Sequence, residues 1–231
     1  MSFPENTTII VVHGAWADGS TWQEVVRLLE ERGLNVVAAP IPLTSLSDDA
    51  AALKRTLART KGPVIVAGHA YAGAVIATAH DERVKALVYI AALAPEEGET
   101  VAQIFYKDET HPKAPQLAPD ADGFLWLPDE AFANAFAQNA SAEQIALAKA
   151  VQRPISVRSI EERAPAPAWK SKPTWYLVAE EDRMINPKTQ RFMAERMKAT
   201  VRSFQVDHTP LLTAPEKVVD VILEAARTTL V

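Results

Sequence analysis

Val64-Ile65-Val66-Ala67-Gly68-His69-Ala70-Tyr71-Ala72-Gly73-Ala74 runs from a short apolar, β-branched segment through a glycine into a row of small residues. Such a run reads as a buried strand, a tight turn and the start of a helix that packs closely on a sheet. Gly68-His69-Ala70-Tyr71-Ala72 has the spacing of a G-x-S-x-G elbow, the strand–turn–helix device that lifts a nucleophile above a parallel sheet. The turn is present, but the hydroxyl that belongs at its centre is not: position 70 is alanine.

Upstream, residues 7–12 are apolar and β-branched without polar alternation, a strand buried on both faces that ends at His13-Gly14-Ala15-Trp16. Ser20 or Thr21 is placed to cap a helix with the apolar stripe Val25, Val26, Leu28 and Leu29, stopped by Gly33. Residues 35–39 read as a second strand broken by Pro40 and Pro42, and Ser47 with Asp48 and Asp49 opens the next helix. Downstream of the elbow, residues 84–93 form another buried strand, closed by Pro95. From Glu96 to about Lys172 the alternation stops, and prolines, acidic residues and aromatics accumulate. Helices are predicted there at residues 129–139 and 141–151, the second from the capping box Ser141-x-x-Gln144. Strands at 174–179 and 200–206, with helices at 187–198 and 215–228, resume the pattern. The elbow strand is then the third of six in one parallel sheet with helices on both faces. The expectation is a single α/β domain over residues 1–231 with a helical lid inserted at about 96–172.

A chain of 231 residues suits one core, and 48% apolar with 23% charged residues is ordinary for a soluble globular protein. A net charge of −5 argues against nucleic acid or an anionic membrane as partner, since both need a basic face. The absence of cysteine removes disulfides, thiolate metal sites and a cysteine nucleophile together, and fits a reducing compartment. No apolar run approaches the ~20 residues of a membrane span, and the first residues lack a basic start and apolar core, so a cytoplasmic protein, monomer or homodimer, is expected. No metal is expected without a His-x-x-x-His or clustered-acid pattern, and no dinucleotide without Gly-x-Gly-x-x-Gly after the first strand.

Ligand sites in open α/β sheets lie at the carboxyl ends of strands. Those ends carry His13-Gly14-Ala15, the elbow, Glu180-Glu181-Asp182 and Asp207-His208. The backbone N–H groups of Ala15 and Tyr71 are placed to form an oxyanion hole. On the motifs Val12-His13-Gly14-Ala15-Trp16, the elbow, Glu-Asp-x-x-x-x-Pro from Glu181 to Pro187, and Asp207-His208, the chain resembles the α/β-hydrolase superfamily over essentially its full length. Within it, the chain looks most like the small-esterase branch that includes methyl-salicylate-type esterases and hydroxynitrile lyases. The resemblance implies a carboxylic ester, thioester or lactone hydrolase that needs no cofactor. Ala70 then stands at the nucleophile position, His208 is the base and Asp182 its orienting acid, with Glu180 and Glu181 as competitors for the acid.

Alanine at 72 is harmless, because a small residue suffices there. Alanine at 70 is not: losing a triad serine costs about 10⁶ in kcat, leaving the ~10³ to 10⁴ that binding and the oxyanion hole supply. Three readings stand side by side: an inactivated esterase or lactonase; a His208–Asp182 dyad acting as lyase or cofactor-free oxygenase; and a non-catalytic pocket for a small ligand. His69 is expected to pack beneath the turn, His13 to shape the oxyanion loop, Asp207 to be structural, and His80 and His111 to be exposed. Trp16, Phe105, Tyr106, Trp126, Phe132 and Phe136 could line a pocket for a small apolar or aromatic ester-like molecule, though core packing explains any one of them equally well.

Overall fold

Each β-branched run becomes a strand. A computed structural model describes residues 3–231. β1 (Thr8–Val12), β2 (Asn35–Ala39), β3 (Val64–His69) and β4 (Val84–Ile90) come first. A short antiparallel pair, β5 (Phe124–Leu125) and β6 (Ile155–Ser156), stands apart, and β7 (Thr174–Ala179) and β8 (Thr200–Phe204) complete the set. The main sheet has six parallel strands in the order β2-β1-β3-β4-β7-β8, as the alternating sequence implies. Because β2 lies on one side of β1 and β3 on the other, strand order reverses at β1, and a crevice opens there at the carboxyl edge. The register sets Val12 against Gly68, so the loop after β1 runs beside the elbow.

Successive strand side chains point to opposite faces, and two separate apolar cores result. Ile9, Val11, Ile65, Ala67, Val88 and Leu177 pack with α1 (Gln23–Glu30) and the C-terminal helix. Ile10, Val12, Val66, Leu87, Tyr89 and Val178 pack on the other side with α2 (Leu46–Leu57) and α3 (Ala72–Ile76). The segment between β4 and β7 carries α4 (Val101–Phe105), α5 (Asp129–Ala131), α6 (Ala142–Ala150) and α7 (Val157–Glu161). After β7 come α8 (Pro187–Arg196), α9 (Pro210–Thr213) and α10 (Pro215–Leu230).

Three local expectations are corrected. Ser47 does not cap α2; Ser45 does, its extended backbone letting Oγ accept the Asp48 N–H at 3.0 Å, so the helix starts at the buried Leu46. Neither Ser20 nor Thr21 caps α1. Asp18 instead accepts the Ser20 N–H at 2.8 Å and caps a 3₁₀ turn, Gly19–Trp22, from which α1 continues. The helix predicted over 129–139 is α5 widening into a π-turn at Phe132–Phe136. It stops there because Thr209 Oγ1 donates to the Phe136 carbonyl (2.5 Å) and Asp207 takes the Asn139 N–H (3.0 Å). The capping box of α6 is formed as Ser141 and Gln144 predict.

The β4–β7 segment is fastened over the carboxyl edge of the sheet. The Trp16 N–H donates to Arg153 O (3.0 Å), Trp16 Nε1 to Leu125 O (2.9 Å) and the Ser156 N–H to Leu43 O (2.9 Å). No helix among the described residues is long and apolar enough to cross a membrane.

Candidate active site

The elbow begins with backbone geometry. Ala70 has φ 50°, the left-handed region that costs a non-glycine residue about 1–3 kcal/mol and persists only where its surroundings fix it. Here the Ala70 carbonyl accepts from Gly73 (3.1 Å) and Leu93 (2.9 Å), and its N–H reaches Ile90 O (3.3 Å). The glycines around it are required by space. A Cβ on Gly68 would lie 2.9 Å from Ala72 O, and one on Gly73 2.2 Å from Leu93 O. A Cβ on Gly14 would lie 2.9 Å from His69 O and 3.1 Å from the Ala70 methyl, which shows how closely the two loops approach. The N–H groups of Ala15 and Tyr71 are engaged by no backbone or side-chain acceptor among the described residues.

The sixth strand of the sheet brings His208 to the same edge. Its Nδ1 is 2.8 Å from Asp182 Oδ2, and both side chains are buried. A carboxylate can only accept, so Nδ1 carries a proton, and in the neutral ring the lone pair is on Nε2. Asp182 is held on all sides: Oδ1 accepts the N–H groups of Met184 (2.7 Å) and Ile185 (2.8 Å), and Oδ2 accepts Gln190 Nε2 (2.8 Å). Glu180 is engaged with Arg191 and Ser203 at the surface, and Glu181 reaches only Asn139 Nδ2 at 3.5 Å. Neither competing acid meets the imidazole.

Beneath His208 lies a second imidazole. His69 donates from Nε2 to the His208 carbonyl (2.7 Å), with ring centroids 4.9 Å apart. Burial, then the neighbouring His208, holds its pKa well below the ordinary histidine value, so it is neutral. His13 is likewise pushed down by burial, and its Nδ1–H donates to Gly14 O (2.9 Å). Asp207 is turned away from the His208 ring; its carboxylate accepts the Asn139 and Thr209 N–H groups and the Thr213 hydroxyl, and burial raises its pKa. His80 and His111 are exposed.

A cavity of about 60 Å³ joins these groups, with Ala15, Trp16, Ala70, Tyr71, Phe105, Tyr106, Phe136 and His208 in its wall. Tyr106 stands at its exposed rim. Two of the six aromatic candidates are elsewhere. Trp126 is 50% exposed, its Nε1 drawn outward to Asp120 Oδ2 (3.0 Å), and Phe132 is buried in the core against Phe136. The rest of the wall is aliphatic, notably Leu93, Ile155, Ile160, Met184 and Ile185, which carry no signal beyond hydrophobicity. Met184 and Ile185 could have been found, since they lie inside the Glu-Asp-x-x-x-x-Pro motif. Tyr71 is in the cavity wall and its hydroxyl donates to Asp49 Oδ2 at 2.6 Å, a long-range pairing with no sequence signature. Among the described residues no cluster of three or more His, Cys, Asp or Glu is arranged to hold a metal ion.

A parallel six-stranded sheet with an elbow after its third strand, and an acid and a histidine after its last two, defines an α/β hydrolase. Residues 9–221 match the alpha/beta hydrolase family, and the chain belongs to it. It is 24% identical to norfluorocurarine synthase 2 from Strychnos sp across 93% of each chain. Its fold is similar to that of a mutant of tomato methylketone synthase I (TM-score 0.84, 19% identity, 97% of this chain and 99% of that one). It is also similar to a methylesterase protein from Arabidopsis (TM-score 0.80, 17% identity, 96% of this chain and 99% of that one).

Proposed function

We propose that the cavity binds a small, neutral, apolar or aromatic ester or lactone in the hydrolytic geometry of the family, and that the chain with Ala70 does not form an acyl-enzyme. The observation that carries this reading is the meeting of the Ala70 methyl and the imidazole of His208, its Nδ1 tied to Asp182, in one apolar cavity. His208 is the base, Asp182 orients it and stabilises the imidazolium, and the amides of Ala15 and Tyr71 receive the substrate's carbonyl oxygen. The β4–β7 segment acts as the lid. A methyl has no proton to give His208 and no lone pair for a carbonyl carbon, so attack stops at binding.

Ala70→Ser, assayed beside the unmodified chain on short-chain aryl esters, tests the reading. A gain of at least about 10³ in kcat/KM is expected, because a lost triad serine alone accounts for about 10⁶. No gain in a folded Ala70→Ser protein overturns it.

A second reading is favoured by one observation, the complete and buried His208–Asp182 pair with Nε2 left free. Such a dyad can take a proton from water or from carbon while the two amides hold the developing oxyanion. Turnover by the Ala70 chain that disappears in His208→Ala would establish it.

A further inference from the structure

The phenol of Tyr71 and the carboxyl of Asp49 form a buried pair immediately behind the elbow, and the chemistry at His208 makes no use of it. Asp49 sits in the first turn of α2 and is fully buried. Its Oδ2 accepts the Tyr71 hydroxyl at 2.6 Å and its Oδ1 accepts the Leu43 N–H at 2.7 Å. Leu43 is itself left-handed (φ 62°), and its carbonyl accepts the N–H of Ser156 in β6 (2.9 Å), next to the cavity-lining Ile155. One carboxyl therefore links the residue after Ala70, the loop after β2 and the strand that walls the cavity. Ser159 of α7 lies beside the phenol, wholly buried, with its hydroxyl in no hydrogen bond of good geometry.

We infer that Asp49 is a positioning residue for the oxyanion hole: by anchoring the Tyr71 side chain it fixes the Tyr71 peptide N–H, and through Leu43 it ties that peptide to the cavity wall. The inference rests on the reading of that N–H as a donor to the substrate oxygen. The chain supports it in three ways. Tyr71 is the N-cap of α3, a five-residue helix, and no side-chain cap bond secures that helix start. Its backbone neighbour Ala70 is held in the left-handed region, and the Ala70 carbonyl, which shares a peptide plane with the Tyr71 N–H, accepts from Gly73 and Leu93, so the phenol bond adds a side-chain tether to a peptide already held through its oxygen. And a carboxyl buried with no cation bonded to it is costly to keep, which marks the pair as a candidate for a role in the site.

Burial pushes the Asp49 carboxyl up to about 6, opposed by the bonds from Tyr71 and Leu43. The charged groups that face the pair are Asp48 on its own helix, Arg153 ahead of β6 and Glu162 after α7. When Asp49 takes up a proton on Oδ2, that proton points at the phenol oxygen, and the phenol hydrogen must turn elsewhere; the unpaired Ser159 hydroxyl is the acceptor at hand. The anchor thus has two hydrogen-bonded states, interchanging at mildly acidic pH.

Two measurements test this and separate it from the esterase reading. In the unmodified chain, the Tyr71 and Leu43 amide resonances are followed by NMR through the acid-to-neutral range. Both should shift with one midpoint near the Asp49 value, and neither should do so in Asp49→Asn. Static Tyr71 and Leu43 amides, or the same shifts in Asp49→Asn, overturn the inference whatever the activity. In the Ala70→Ser background, adding Tyr71→Phe should lower kcat by about 10- to 100-fold with KM changed less than about threefold, because the lost anchor acts on the transition-state oxygen. Asp49→Asn, which can still bond both partners, should retain most of the rate and lose the pH dependence centred on the pair. A folded Ala70→Ser/Tyr71→Phe protein with undiminished kcat overturns the inference; an inert but folded Ala70→Ser protein overturns the esterase reading and leaves the NMR measurement to decide on Asp49.

Discussion

Gly14 and Asp49 show how far single positions control this site. The hydrogen that Gly14 carries in place of a methyl is what lets the β1 loop lie against the elbow. Gly14→Ala should therefore cost about 1–3 kcal/mol by overpacking and abolish ligand binding, because the neighbour in the way is the His69 carbonyl and cannot step aside. Urea denaturation with a binding titration checks both. At Asp49 the sign of the pH effect is fixed by linkage. Its pKa is about 6 in the fold against an ordinary 3.8, so between those values the folded chain holds more protons than the unfolded one, and stability falls as pH rises. The cost, on the order of 3 kcal/mol, is absent below about pH 4 and complete above about pH 6. Asp49→Asn should flatten that limb; urea midpoints across the range that fall equally in both proteins would contradict it.

Among elements, α3 is set most tightly. Its first turn touches the backbone of the β4 exit at Gly73, where a Cβ would come within 2.2 Å of Leu93 O. Leu93 in turn donates its N–H to Ala70 O, so pushing it away undoes the elbow as well. Gly73→Ala is expected to lose about 3 kcal/mol or more, seen as a fall in the urea midpoint or in soluble yield. The small-residue run at 72–74 made this close approach readable from sequence, as β-branched runs made all six strands of the sheet readable: both are local properties of the chain. What escaped was decided by contacts distant in sequence. Ser45 displaced Ser47 as a cap because Leu46 had a core to enter, and a helix expected to reach 139 ended at Phe136 because Thr209 and Asp207 captured its backbone. The same division runs through the site. Ala70, Asp182 and His208 could be named because each lies in a contiguous strand-end motif. The Asp49–Tyr71 pair depends on a partner that no local pattern encodes, whereas the place of His69 beneath the turn was legible from its position in the elbow.

The whole molecule brings an overall charge of −5 and a cavity without a cation in its wall, and the two act in the same direction on what can stay bound. The ionisable side chains among the lining residues are Tyr71, Tyr106 and His208, and Asp182 stands directly behind the imidazole. A neutral ester would gain from every apolar contact in such a cavity. The corresponding acid would have to leave its carboxylate unsolvated, with no arginine or lysine to meet it, inside a protein of like charge. The Ala70 chain permits the comparison under equilibrium conditions, because on the esterase reading it binds without turning over. Calorimetric titration with a short aryl ester and with its free acid at about neutral pH should give at least tenfold weaker binding of the acid, about 1.4 kcal/mol. Ester affinity should also change by less than about twofold between low and high salt, since no exposed ion pair contributes to it. Equal or tighter binding of the acid would mean that a cation reaches the cavity in solution, Arg153 being a candidate because its charge is felt at His13 and Asp49. The ligand class proposed for this fold would then have to change from neutral esters to carboxylates.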